Sequence, residues 1–292
     1  MKRRLFELPV VLTCFGYRPE YVAEMMGMLD SVREHHPAWP VMYGRGPAPG
    51  HDDETFEVDS PGGTSHWRLP VSLNLDGTTR DFYKIVMMKG CWMSRVWSNA
   101  AGLTGDVVRI LWMDADTRLN GLLDIEVDPE AEVVAGPWWD EEEYFDGKGM
   151  IGSGLLLFQG TRGGPVESLL DEWSSECLSR IQAATQVPFS HECDDDVLTQ
   201  VLHKRESVES DYLLLKLERR KYSGWMPAKG GKLLEKSLVD HWYISEKMES
   251  PDTSQRDWPP PEEYRRKADV GSRLPGWIPD WDPDDETPGG SQ

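Results

Sequence analysis

The chain has 292 residues, 39% of them hydrophobic, and a formal net charge of −20 at pH 7. That length suits one large α/β domain with a tail, and the apolar share is enough for a sizeable core. The overall charge excludes a general attraction to nucleic acid or anionic membranes, but not a local basic patch.

The four cysteines, Cys14, Cys91, Cys177 and Cys193, form no close pair. They give neither a zinc signature nor a dense disulfide framework, and they suit a reducing, cytoplasmic setting. The opening MKRRLFELPVVLTCF imitates a signal peptide, but Glu7 and Pro9 interrupt its apolar run and no clean cleavage site follows. Pro9 to Phe15 therefore reads as a buried first strand. No stretch approaches the length of a membrane span.

In chain order, PVVLTCF is a short β-branched apolar run, read as a strand. Val22, Met25, Met26, Leu29 and Val32 then recur at helical spacing. PVMYGRG reads as a second strand. Residues 44–65, rich in Gly, Pro, Asp and Ser, read as loop. DFYKIVMMKGCWMSRVWSNA predicts a helix, and DVVRILWMDADTRL a strand ending in acidic residues. AEVVAGPWW and the glycine-opened IGSGLLLFQG predict further strands. GPVESLLDEWSSECLSRIQ is an amphipathic helix, DDDVLTQVLHK starts another, and SLVDHWYIS is a last short strand or turn. This alternation points to an α/β fold over residues 1–249. Residues 250–292 hold eight prolines and three tryptophans and read as an extended acidic tail.

The strongest chemical signal is ILWMDADTRL, residues 110–119. Alternate residues of an extended chain face one way, so a strand running through the motif puts Asp114 and Asp116 on one side. Two carboxylates at a strand end make a hard oxygen site for Mg²⁺ or Mn²⁺. In open α/β sheets ligands bind at the carboxyl ends of strands, where this motif falls.

ILWMDADTRL resembles the Asp-x-Asp segment of the GT-A glycosyltransferases, in which an apolar strand delivers two metal-binding aspartates. Other pieces follow in family order over roughly residues 9–247. PVVLTCFGY resembles the first strand, which lines the nucleotide, MIGSGLLLFQG the small-residue strand facing the donor sugar, and HECDDDVLTQVL the acidic segment near donor and acceptor. VDHWYISEK resembles the late histidine segment. The resemblance implies a GT-A type, Rossmann-like mixed sheet flanked by helices. It also implies a nucleotide-sugar donor, a UDP-sugar first, bound with Mn²⁺ or Mg²⁺.

Residue by residue, the resemblance makes Asp114, Asp116 and His241 the metal ligands, Asp114 also facing the ribose. Thr13, Phe15 and Tyr17 line the nucleotide, and Gly152, Ser153 and Gly154 approach the sugar. Lys247 contacts the diphosphate. Arg80 and Lys84, four apart on one helix face, are candidate diphosphate contacts, with Lys89 further along the same helix. Within Glu192, Asp194, Asp195 and Asp196, helix capping competes with a catalytic role, and Asp195 or Asp196 is the candidate base.

Residues 216–236 carry seven Lys or Arg against Glu218 and Glu235, a local net of +5. Tyr222 and Trp225 are interleaved with the charges. Arg219, Arg220, Lys221 and Trp225 are the candidate acceptor contacts. A hydroxymethylated base in phage-type DNA fits this composition, because cations meet phosphates and aromatic rings stack on bases. A basic loop over the donor diphosphate, or plain solvated surface, fits as well, and a saccharide or other small acceptor is the alternative. Two further readings are a sugar-nucleotide nucleotidyltransferase and a non-catalytic protein on the same fold. CFGYRPEY lacks the glycine-rich loop expected of the nucleotidyltransferase. The Asp-x-Asp pair and the late histidine argue against the non-catalytic protein.

Overall fold

The computed structural model describes residues 1–75, 80–139, 149–183, 193–206, 211–222, 224–225 and 238–241. Arg80, Arg219, Arg220, Trp225 and His241 enter by their backbone alone. The tail from residue 250 onward lies outside the described residues.

The strands are β1 (Arg3–Arg4), β2 (Val11–Tyr17), β3 (Val41–Gly46), β4 (Thr55–Ser60), β5 (Gly63–Arg68), β6 (Val107–Met113) and β7 (Thr117–Leu119). They continue as β8 (Glu126–Val127), β9 (Val133–Trp139), β10 (Met150–Ile151), β11 (Leu155–Thr161), β12 (Leu213–Glu218), β13 (Gly224–Trp225) and β14 (Val239–His241). The helices are α1 (Pro19–His35), α2 (Arg80–Thr104), α3 (Pro165–Ala183), α4 (Asp194–Glu206) and the short α5 (Arg219–Tyr222).

The main sheet has nine strands, in the order β10-β9-β11-β6-β2-β3-β4-β5, with β12 added to β9. Its centre is parallel: β2 pairs with both β3 and β6. The outer pairs β11–β6, β11–β9, β3–β4 and β4–β5 are antiparallel, while β12 lies parallel to β9. A mixed α/β sheet flanked by helices is the architecture expected from the sequence. β2 and β6 are buried nearly throughout, which accounts for their apolar runs, because parallel strands covered on both faces need no polar alternation.

The helices follow their apolar stripes. In α3, Val166, Leu169, Leu170, Trp173, Cys177 and Ile181 are buried, a 3–4 spacing that faces α2 and the strand β11. Glu132 caps this helix by accepting the Val166 N–H at 3.1 Å. α2 buries Met87, Met88, Trp92, Met93, Val96 and Trp97, and Gly105 follows it at φ +85°, a left-handed stop that glycine takes without steric cost. In α1, Met25, Leu29 and Val32 are buried as expected. Met28 is fully buried, while Met26 is only partly so.

Three expectations need correction. Residues 44–65 are not all loop: β4 and the start of β5 form a hairpin there, with Phe56 and Val58 inside and Pro61-Gly62 at its turn. The alternation of TFEV was hidden in turn-rich composition. IGSGLLLFQG is not one strand, because Gly152, Ser153 and Gly154 turn between β10 and β11. β12, LLLKLE, was not foreseen. It is an edge strand whose exposed and half-buried residues mix without a clean period.

A second, three-stranded sheet, β13-β14-β7, joins the end of the described chain to the segment after β6. His241 stands opposite Thr117 in an antiparallel pairing, and Trp225 stands opposite His241 in a parallel one.

Candidate active site

The centre of the sheet sets the place of the site. β2 has β3 on one side and β6 on the other, so the strand order reverses about β2. A crevice forms at such a reversal, outside the carboxyl ends of the strands. Asp114 follows the last residue of β6.

The strand stops at Met113, so the two aspartates do not share a side through strand alternation, contrary to the expectation above. They sit in a turn instead. Asp114 O accepts the Thr117 N–H at 3.1 Å and the Thr117 hydroxyl at 2.7 Å. The Asp114 N–H donates to Gly154 O at 2.9 Å, tying the turn to the glycine segment beside it. Asp116 is buried, at 8% exposure, and Asp114 partly so.

Lys89 fills the floor of this region. Its Nζ lies 2.9 Å from Oδ1 of Asp114 and 2.8 Å from Oδ2 of Asp194, and both Lys89 and Asp194 are buried. Lys89 also donates to Ser153 Oγ at 2.9 Å and Ser153 O at 3.3 Å. Burial alone would lower the Lys89 pKa, but the charges of Asp114 and Asp194 outweigh it and the net shift is upward. The ammonium is therefore permanent at physiological pH. Trp112 Nε1 donates to the same Asp114 Oδ1 at 2.6 Å, and Lys89 Nζ stands 5.0 Å from the Trp112 ring centroid.

The acidic segment opens α4. Asp196 Oδ2 accepts the Cys193 N–H at 2.7 Å, a reciprocal cap for the helix start. Burial raises the Asp194 carboxyl, with Asp114 adding and Lys89 opposing. Asp195 keeps some exposed surface, yet desolvation, followed by the charges of Asp194 and Asp196, pushes it up to about 8. Cys193, Asp195 and Asp196 each bring one ligand atom within 4.8 Å of the others, and Oδ2 of Asp196 also serves the helix cap.

The nucleotide-lining candidates have internal partners. Thr13 Oγ1 donates to Met42 O at 2.7 Å and accepts from Trp92 Nε1 at 2.8 Å. Phe15 packs edge-on against Phe56, Trp92 and Trp112. Tyr17 OH donates to Asp53 O at 3.1 Å. All three side chains are buried. Gly16 faces the other way, where a Cβ would come within 2.6 Å of the Val22 backbone. Arg18 follows at φ 77°, ψ 153°, a strained conformation for a residue with a side chain, and its guanidinium reaches to 3.9 Å from Asp81.

Lys84 is buried rather than solvated. It donates to Asn74 O at 2.7 Å and lies 3.8 Å from Asp81. Arg80 opens α2, with its side chain outside the described residues; Lys247 and Glu192 lie outside them altogether. In the basic segment, Lys221 Nζ is held by both Asp124 oxygens at 2.9 and 2.8 Å, beside a 2.8 Å Tyr222–Asp124 hydrogen bond. Lys216 Nζ sits 4.0 Å from the Trp138 ring centroid. The side chains of Arg219, Arg220 and Trp225 lie outside the described residues.

The residues named as a donor set from the sequence come from two neighbouring segments. Two carboxylates share one short turn, and an imidazole-bearing residue stands in register on the adjoining strand. Carboxylate oxygens suit Mg²⁺ or Mn²⁺, and an added imidazole nitrogen shifts the preference toward Mn²⁺. Oδ1 of Asp114 already meets Lys89 and Trp112, so a cation competes for that atom or takes Oδ2. The sequence grouped Lys89 with the cations of one helix near a diphosphate and put Asp194 in the acidic cluster behind Asp195 and Asp196, and it did not pair the two. Nothing local distinguished either from a solvated charge. Their burial depends on α2, α4 and the Gly152–Gly154 turn meeting. Among the described residues no helix is long and apolar enough to cross a membrane.

Neither protein-family models nor curated proteins match the sequence. Solved structures with a similar chain trace include a glycosyltransferase involved in glycosylation of the major capsid of PBCV-1. It is 8% identical, covers 80% of this chain and 93% of its own, and has a TM-score of 0.45. The galactosyltransferase LgtC, in complex with donor and acceptor sugar analogues, is 13% identical over 92% of this chain and 98% of its own, at 0.45. The glycosyltransferase GlyE of Streptococcus pneumoniae is 14% identical over 88% of this chain and 60% of its own, at 0.40.

Proposed function

We propose that this protein is a metal-dependent glycosyltransferase of the GT-A type, moving a sugar from a nucleotide-sugar donor, a UDP-sugar first, to an acceptor hydroxyl. The observation that carries this reading is the pairing of His241 with Thr117, next to Asp114–Asp116, from the far end of the described chain. The late histidine had been nominated by resemblance alone, and strand register puts its backbone beside the motif.

On this reading Asp114, Asp116 and His241 hold Mn²⁺ or Mg²⁺. Bound there, the ion acts as a Lewis acid that neutralises charge on the leaving nucleoside diphosphate. Lys89, Asp194 and Ser153 form a polar floor beneath the Gly152–Gly154 turn, suited to the hydroxyls of a donor sugar. Their mutual bonds preorganise them, so little reorganisation remains for the reaction. Asp195 is the proposed base toward the acceptor, since a carboxylate with a pKa near 8 is poised close to working pH. Asp196 is the weaker candidate, being committed to the helix cap.

A saccharide or other small hydroxyl compound is the first acceptor reading. Two cations of the basic segment, Lys216 and Lys221, are engaged within the fold, which removes part of the motive for a polyanion. A hydroxymethylated DNA base is the second reading, favoured by the Trp225 strand standing in register with His241.

A thermal-shift panel of UDP-, GDP- and other nucleotide sugars, with and without Mn²⁺, tests the proposal. A ligand of the folded state raises the midpoint as its concentration exceeds Kd. The expected result is a shift with one nucleotide class that needs the metal. Asp116→Ala should abolish that shift, and lower transfer by about 100-fold or more, with the fold kept. No shift with any donor, or full metal-dependent activity in Asp116→Ala, overturns the reading.

A further inference from the structure

Arg118 is a buried cation with no role in the reading above. It lies on β7, one residue past Thr117, and its side chain points away from solvent, at 8% exposure. Its Nη2 lies 2.8 Å from Oε2 of Glu24 on α1, itself 2% exposed. Its Nη1 donates to Thr117 O at 2.6 Å and reaches Ala115 O at 3.4 Å. The guanidinium thus joins a helix carboxylate to two carbonyls of the turn that carries Asp114 and Asp116. Thr117 ties down a third, Asp114 O, from within.

A second stitch lies beside it. Ser31 of α1 accepts the Leu119 N–H at 3.1 Å while donating to Met28 O at 2.6 Å. The whole of β7 is therefore indexed to α1. In register, Arg118 stands opposite Asp240, the residue before His241, so the same strand also supports β14.

We infer that Arg118, held by Glu24, is a positioning residue: it fixes the peptide planes of the Asp114–Asp116 turn so that both carboxylates meet one cation. A planar guanidinium does this where an ammonium cannot, because its N–H groups leave in fixed directions and satisfy carboxylate and carbonyls together. Groups one shell removed from a metal commonly change its affinity or the activity by about 10–100-fold. The inference rests on the metal-dependent transfer proposed above.

Mn²⁺ binding tests it without turnover. Free Mn²⁺ is followed by electron paramagnetic resonance while the full-length protein is titrated in the presence of UDP. Arg118→Met alone takes the guanidinium away from a buried carboxylate and risks misfolding. The informative variant is therefore Glu24→Met/Arg118→Met, since apolar replacement of a buried pair is often neutral for stability. The expected result is an unfolding midpoint near that of the wild type and a Mn²⁺ half-saturation raised about tenfold or more. Glu24→Gln, which keeps an acceptor for the guanidinium, should shift half-saturation less. A folded double variant that binds Mn²⁺ as the wild type does overturns the inference and leaves the pair a stability element, with the transferase reading intact. A wild type that takes up no Mn²⁺ with UDP, GDP or any other nucleotide of the panel overturns the metal-dependent reading and this inference with it.

Discussion

Lys89 Nζ and Asp194 Oδ2 lie 2.8 Å apart, both within protein, and the same ammonium reaches Asp114 Oδ1 at 2.9 Å. One cation thus links the start of α4 to the end of β6 through α2. Breaking a buried pair from one side costs about 3–5 kcal/mol, because the remaining charge is left uncompensated. Lys89→Met should therefore lower stability by about that amount in urea unfolding. Lys89→Met/Asp194→Asn should recover part of the loss, since one stranded charge is removed with its partner. Equal stability of Lys89→Met and wild type would show that water reaches the pair freely.

Asp195 gives a pH dependence of opposite sign to that of an ordinary salt-bridged carboxylate. Its folded pKa, about 8, lies above the ordinary 3.8, so the folded state favours the protonated form. Its contribution to stability is full below the unfolded value and is lost as pH rises through 8. Asp195→Asn should therefore gain stability over the wild type progressively across that window and level off above it. The same variant should lose the limb of the transfer pH profile that rises toward pH 8. Parallel stability curves for the two proteins would contradict the placement of this carboxyl.

His36 acts at the acid end. Its Nε2 accepts the Leu123 N–H at 3.1 Å, and its ring stacks on Trp39 with centroids 3.9 Å apart. Burial, with a smaller effect of His35, pushes its pKa from 6.5 down to about 4. Folding thus favours the neutral ring, so the stabilisation is present above pH 6.5 and lost as pH falls toward 4. The shift corresponds to about 3 kcal/mol at most. His36→Gln, which keeps an acceptor but does not titrate, should flatten the fall in thermal midpoint between those pH values. An unchanged acid limb would assign the loss to other groups.

The acceptor readings separate by salt. Lys221 is left in place because it holds Asp124. If Arg219 and Arg220 meet DNA phosphates, Arg219→Ala/Arg220→Ala should weaken binding of hydroxymethylated duplex DNA at every sequence. The salt slope should shrink by up to about 0.9 per lost contact. Loss of UDP-sugar affinity instead would make the segment a donor loop. Wild type that binds no DNA at any salt sends the search to saccharide acceptors.

Periodicity and composition by themselves determined the alternating strands and helices, the long helix α2 and the buried strands β2 and β6. Those signals are local: a 3.6-residue stripe or an apolar run needs no knowledge of its partner. The Asp-Ala-Asp motif was legible for the same reason, since three residues of chain carry it, but its turn was not, because the strand was read through it. The β4–β5 hairpin was not, because its turn residues outweighed a short alternation. Strand order, which makes β2 the point of reversal, is invisible to any local window. So is the identity of the charges that leave water. Lys84, Lys89 and Lys221 look alike in sequence. The fold buries Lys84 beside Asp81, wedges Lys89 between two aspartates and clasps Lys221 to Asp124. Only tertiary structure decided this, because a charge acquires its partner, and its pKa, from groups that lie close in space and far along the chain.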